Sequence, residues 1–184
     1  MYDLEQIVNQ IYTTPSDINE HIPTLIDYAS ECEHITEMGV RAITSTWAFL
    51  GAAPKKLISY DIQDPSEWSV DIQDVYDTAE YYGLDFTFIK ANVLEVEIKE
   101  TDLLFLDTWH AYDQLKAELR LHSNKAKKYI IMHDTTSYEF RDEPLTSENA
   151  WEGELDFGRG LWAAIEEFLE SSEEWVLHKR YTNN

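Results

Sequence analysis

The sequence predicts an α/β three-layer sandwich, a mostly parallel sheet covered by helices on both faces. Two observations carry that prediction. Short apolar strand runs alternate with helical stretches from about residue 35 onward, and parallel strands need such crossovers. Leu103 to Leu106 and Tyr129 to Met132 are almost wholly apolar, the pattern of strands buried on both sides.

The elements follow in order. Residues 1–30 hold one or two amphipathic helices, with Leu4, Ile7, Val8 and Ile11 and then Ile22, Leu25, Ile26 and Ala29 at helical spacing. Ile35–Val40 is a short strand that reaches Gly39, and Thr44–Gly51 is a helix. Lys56–Ile62 is a strand carrying Asp61 near its end. Val70–Tyr82 is a helix stopped by Gly83. Asp85–Asn92, Thr101–Asp107 and Lys128–Asp134 are strands, with a helix over Tyr112–Ser123 before the last of these. The polar stretch 136–158 reads as a lid-like loop. Gly160–Glu170 is a helix, and Trp175–Tyr181 is the expected final strand. All of it reads as one Rossmann-like domain over residues 1–184.

Composition narrows the function. The 184 residues include 36 acidic and 14 basic side chains, a formal net charge of −22. Such a chain repels phosphate backbones and anionic membrane surfaces, which disfavours nucleic acid as a substrate. Cys32 is the lone cysteine, with no spacing around it that reads as a zinc site. No run of 18 apolar residues indicates a membrane span. The first residues lack a basic segment followed by an apolar one, so the expectation is a cytoplasmic protein without a secretory leader.

Chemistry in an open parallel sheet sits at the carboxyl ends of the strands. Asp61, Asn92, Asp107 and Asp134 all fall there, and Gly39 follows the first strand. Asp and Asn also end strands as caps and turn formers, so each alone has that second reading. Gly39 lets the backbone turn sharply toward a ligand. Ser45 stands in the first turn of the following helix, whose N–H groups receive polar groups. The Gly-x-Gly-x-x-Gly pattern is absent, with Ala42 at one usual Gly position, which disfavours a dinucleotide. Asp61, about 20 residues beyond the turn, suits a ribose, accepting both of its hydroxyl hydrogens.

Asp107-Thr108-Trp109-His110-Ala111-Tyr112 puts a carboxylate and an imidazole at one mouth. His110 suits the role of general base ahead of its other reading, a helix cap or a partner of a backbone carbonyl. Asp107 and Asp134, at the ends of adjacent strands, suit a hard cation such as Mg²⁺. His133 reads as packed or exposed, pointing away from Asp134 by alternation. His21, His34, His122 and His178 read as solvated. Trp47, Trp162 and Trp175 read as packing, while Trp109, Tyr138, Trp151 and Phe157 read as aromatic cover near the site.

These pieces resemble the class I S-adenosylmethionine-dependent methyltransferases, in particular the cephalosporin-hydroxylase-like branch. The resemblance rests on Glu37-Met38-Gly39-Val40-Arg41 with Thr44-Ser45-Thr46-Trp47, on Ile58-Ser59-Tyr60-Asp61, on Leu104 through Tyr112, on Ile130 through Thr136, and on Gly158 through Ile165. It implies strand order 3-2-1-4-5-7-6 with the last strand antiparallel. It implies that Glu37 and Gly39 border the methionine part of the cofactor, Asp61 the ribose, Asn92 the adenine side and Asp107 the methyl sulfonium, with Val40, Arg41, Ser45, Ile62 and Val93 as further cofactor-binding residues. It also implies a divalent cation on Asp107 and Asp134, although Thr135 replaces the usual Asn beside the second acid. The family's terminal hairpin is cut short at Tyr181–Asn184, so six or seven strands are expected, the last one absent or borrowed from a partner, and an open edge there favours a homodimer.

The leading expectation is O-methylation of a small molecule or sugar, with Asp107, His110 and Asp134 as the catalytic groups. A nucleoside-binding or interaction module of the same fold, and a metal-dependent hydrolase built on Asp107, His110 and Asp134, are the alternatives.

Overall fold

A computed structural model describes residues 3–146 and 158–182. Its five strands form one parallel sheet in the order β3-β2-β1-β4-β5. They are β1 (His34–Met38), β2 (Lys56–Asp61), β3 (Asp85–Lys90), β4 (Thr101–Leu106) and β5 (Ala126–Met132). The helices are α1 (Leu4–Thr13), α2 (Ile22–Ala29), α3 (Thr44–Gly51), α4 (Gln73–Tyr82), α5 (Tyr112–His122) and α6 (Gly160–Ser171).

The central strands alternate apolar side chains to both faces, which is why their sequence reads as continuous apolar runs. Ile35, Leu103 and Phe105 join Leu25, Ala48, Phe49 and Val75 in the core beneath α1–α4. Met38, Leu104 and Leu106 join Leu115, Leu119, Leu161 and Ile165 in the core beneath α5 and α6. Phe49 and Phe105 are fully buried and meet edge to face with centroids 5.1 Å apart. Truncating either to Ala would cost about 3–5 kcal/mol.

The helix ends follow local chemistry. The Asp3 carboxylate accepts from the backbone N–H groups of Glu5 and Gln6 and starts α1. Gly83 ends α4 with φ +71. Asp142, in the loop after β5, starts two helices at once. Its Oδ1 accepts from Tyr112 N at 2.8 Å and from Gly160 N at 3.1 Å, and its Oδ2 accepts from Gly158 N at 2.7 Å. One carboxylate thus stitches the described start of that loop to α5 and α6.

The architecture matches the expectation, with differences at the β5 edge. The sheet has five strands among the described residues, and 175–181 forms no strand. Side chains rather than a ladder hold that segment. The Arg180 guanidinium lies 3.7 Å from the Trp162 ring centroid and pairs with Glu139 at 2.8 Å. His21 and His122 are buried rather than solvated. His122 Nε2 bonds the Val93 carbonyl at 2.9 Å, and burial lowers its pKa. Trp47 packs in the core as expected. Trp151, Phe157 and the rest of residues 147–157 of the expected lid lie outside the described residues. No described helix is long and apolar enough to cross a membrane.

Candidate functional site

Strand register builds the site. Met38 of β1 pairs with Leu106 of β4, and Leu106 pairs with Met132 of β5. The next residues, Gly39, Asp107 and His133, therefore emerge side by side at the carboxyl rim. Asp107 N donates to Met38 O at 2.8 Å, and His133 N donates to Leu106 O at 3.1 Å. Gly39 adopts φ +89, and a Cβ built on it would fall 1.9 Å from the Asp107 carbonyl oxygen. Only glycine lets the two strand ends come this close.

A cavity of about 520 Å³ opens over this rim, within the usual range for small-molecule sites. Gly39, Val40, Arg41, Asp61, Ile62, Asn92, Val93, Asp107, His110 and Asp134 all line it. Those ten expected site residues come together. Glu37 and Ser45 stand apart from the lining.

Glu37 is fully buried beneath the turn. Its carboxyl accepts from the hydroxyls of Ser45 at 2.6 Å, Thr46 at 2.8 Å and Ser59 at 2.5 Å, tying β1, β2 and the first turn of α3 together. Burial pushes its pKa up to about 7, against the pull of those three hydroxyls.

Asp61 is committed to the turn above it. Its Oδ2 accepts from Val40 N at 2.7 Å and Arg41 N at 3.0 Å, and its Oδ1 accepts from Gln63 N at 2.8 Å. A carboxylate has about four acceptor positions, so one is left on Oδ1. That suits one ribose hydroxyl rather than both. Asn92 accepts from Leu94 N at 3.0 Å and so also caps the short turn after β3. The strain in the β1 turn lies at Arg41 (φ +46) and Ile43 (φ +58), not at Ala42. A buried β-branched residue in the left-handed region is a conformational outlier. Arg41 pairs with Asp17 at 2.8 Å and lies 5.0 Å from the Trp68 ring centroid, and all three side chains border the cavity.

The other end of the cavity is an ionic cluster. His110 Nε2 lies 3.2 Å from Asp107 Oδ1 and 3.2 Å from Asp134 Oδ2. Its Nδ1 lies 3.0 Å from Glu143 Oε2. Tyr138 stacks on its ring at 4.9 Å, and the Trp109 indole donates to the Glu143 carbonyl at 3.1 Å. His133 Nδ1 lies 3.3 Å from the same two carboxylate oxygens. Burial alone would lower both imidazole pKa values. The surrounding carboxylates outweigh it and raise each to about 10. Asp107 is correspondingly held well below the usual carboxylate range. His110 is therefore a proton holder at neutral pH in this arrangement.

Three participants were not legible in sequence. His133 faces the cluster because β5 ends at Met132 and alternation stops there. Asp134 then turns with φ +52, bringing both side chains toward Asp107. Glu143 belongs to a loop with no motif. Glu118 is buried on α5, accepts from Thr108 Oγ1 and Gln114 Nε2, and is pushed by burial up to about 7. A carboxylate and a hydroxyl ten residues apart gave no signal.

Asp107, His110 and Asp134 offer ligand atoms that all lie within 4.8 Å of one another. Two carboxylates and one imidazole suit a divalent cation, provided that His110 gives up its proton.

The sheet order and the rim cavity define a class: the chain has the fold of the class I S-adenosylmethionine-dependent methyltransferases. Among solved structures it is similar to a Staphylococcus aureus protein assigned as a caffeoyl-CoA O-methyltransferase, with TM-score 0.59 and 13% identity over 93% of this chain and 84% of that one. It is similar to the S-adenosylhomocysteine-bound methyltransferase PaMTH1 of Podospora anserina, with TM-score 0.54 and 16% identity over 92% and 78%. A Klebsiella pneumoniae protein assigned as an O-methyltransferase matches with TM-score 0.52 and 15% identity over 92% and 78%. No family model matches the chain, and no curated sequence is similar to it at a significant level.

Proposed function

We propose that the chain transfers a methyl group from S-adenosylmethionine to an oxygen of a small molecule or sugar. The observation that carries this reading is one continuous cavity with two chemically distinct ends. Asp61, with its remaining acceptor position, stands near Ile62, Asn92 and Val93, and the Asp107–His110–Asp134 cluster shares the same lining. The likeness to methyltransferases, one of them bound to S-adenosylhomocysteine, supports it.

The cofactor, when bound, supplies an electrophilic methyl on a sulfonium. The chain's work is alignment and the removal of one proton from the acceptor hydroxyl. Asp61 would hold a ribose hydroxyl, Ile62 and Val93 would cover the base, and ionised Asp107 presents negative charge to the cationic end. His110 accepts the hydroxyl proton only in its neutral form, the minor form below pH about 10. A divalent cation on Asp107, His110 and Asp134 would expel that proton and lower the pKa of a bound hydroxyl.

Methyl transfer from labelled S-adenosylmethionine to a panel of phenols, catechols and sugars, with and without Mg²⁺, tests the proposal. The expected result is transfer that rises with pH between 7 and 9 in the absence of cation. A second reading, cofactor binding without turnover, is favoured by one observation, the grip of Asp107 and Glu143 on His110. Binding of S-adenosylhomocysteine with no transfer at any pH would select it.

A further inference from the structure

The methyl-transfer reading leaves one buried acid behind the rim without a task. Glu118 of α5 is 1% exposed. Its Oε1 accepts from the Thr108 hydroxyl and, at 2.7 Å, from Gln114 Nε2. Both partners are neutral, so burying this carboxyl is costly. What it achieves is orientation. Gln114 Nε2 also approaches Thr108 Oγ1 at 3.5 Å, so the nitrogen of the amide faces inward. A flipped amide would set its oxygen against the Glu118 oxygen, lone pair against lone pair. Gln114 Oε1 is thereby held in the outward position.

That oxygen accepts no hydrogen bond among the described residues, and it is not sealed from solvent. Gln114 lines the rim cavity. Its neighbours define which part of a ligand meets it. α5 packs on the turn Val93–Glu95 that follows β3, and His122 of the same helix bonds the Val93 carbonyl. Gln114 thus shares a wall with Asn92, Val93 and Thr108. The other polar side chains of that wall are committed. Asn92 accepts from Leu94 N and donates to Glu95, and Thr108 donates to Glu118. Gln114 Oε1 is the free acceptor among them.

We propose that Gln114, positioned by Glu118, accepts a hydrogen bond from the exocyclic amine of the adenine and selects 6-aminopurine over 6-oxopurine nucleosides. This rests on the adenosyl reading of the rim cavity and adds to it the group that reads the base. An amine donates to the carbonyl oxygen of Gln114, whereas a 6-oxo group would set a second acceptor against it. A site built to pair with a donor leaves its own polar atom stranded when the donor is missing, so rejecting the wrong base weighs more than binding the right one. The buried carboxyl of Glu118 keeps the amide from turning to suit the 6-oxo group.

Titration calorimetry of the full chain with S-adenosylhomocysteine and with S-inosylhomocysteine, its 6-oxo counterpart, tests this without turnover. The wild-type chain should bind the adenosyl compound at least about tenfold more tightly. In Gln114→Leu the preference should fall below about threefold. Gln114→Asn keeps an amide but withdraws it by one methylene, and it should show the same fall, which decides the matter where the leucine variant does not fold. In Glu118→Gln the Gln114 amide is free to turn, so the preference should narrow with Gln114 itself intact. A merely structural role of Glu118 would instead weaken both compounds alike and leave their ratio unchanged. Equal affinities in the wild-type chain, or a preference that survives in the Gln114 variants, overturn the proposal and leave the adenosyl site standing. Binding of neither compound overturns both.

Discussion

Gly39→Ala is the sharpest probe of how the rim is built. The added Cβ would lie 1.9 Å from the Asp107 carbonyl oxygen and 2.5 Å from its carbonyl carbon, both backbone atoms that no side-chain rotation can move. Two costs add. Holding alanine at φ +89 strains the backbone by about 1–2 kcal/mol, and forcing a methyl into filled space costs about 1–3 kcal/mol more. The expected loss is thus about 2–5 kcal/mol. Gly83→Ala supplies the reference, because Gly83 has φ +71 and its Cβ would meet nothing within 4 Å. It should cost only the backbone share, about 1–2 kcal/mol. Urea unfolding of both variants measures the difference. S-adenosylhomocysteine affinity should fall in Gly39→Ala and hold in Gly83→Ala. If the two variants lose equal stability, the close approach of the β1 and β4 ends is not what fixes this turn.

Much of this arrangement was legible because period and punctuation are local properties. The apolar runs of β4 and β5 marked the sheet, and the polar residue after each strand marked the rim. What escaped was set by register and by loops. Glu37 occurs in the motif, yet Ser45, Thr46 and Ser59 take its carboxyl into the interior, and only the three-dimensional pairing of β1 with β2 brings Ser59 there. His133 joined the cluster because the strand ended two residues earlier than expected, at Met132. Trp175–Tyr181 has strand-forming residues, yet among the described residues it pairs with no strand.

Stability should fall as pH rises from 6.5 to 10. The folded chain holds protons on His110 and His133 up to about pH 10, whereas the unfolded chain releases them near 6.5. Urea midpoints across that range should decline, and His110→Gln should flatten the slope. Ile43 occupies a left-handed position with its side chain buried, so Ile43→Gly should be more stable than Ile43→Ala by about 1 kcal/mol. That reverses the usual order of the two residues, and urea unfolding reads it directly. Mg²⁺ or Mn²⁺ binding at Asp107, His110 and Asp134 should release about one proton per ion, since the imidazole must be neutral to ligate. Calorimetry in two buffers of different ionisation enthalpy counts that proton, and proton-neutral binding would place the ion elsewhere.

The central claim is that the rim cavity between Asp61 and Asp107 is an adenosyl site. Titration calorimetry with S-adenosylhomocysteine addresses it most directly. One molecule should bind per chain, with affinity reduced about tenfold or more in Asp61→Ala, which loses both the ribose acceptor and the clasp on the Val40 and Arg41 amides. Absence of binding heat at millimolar ligand, or binding indifferent to Asp61, would contradict it.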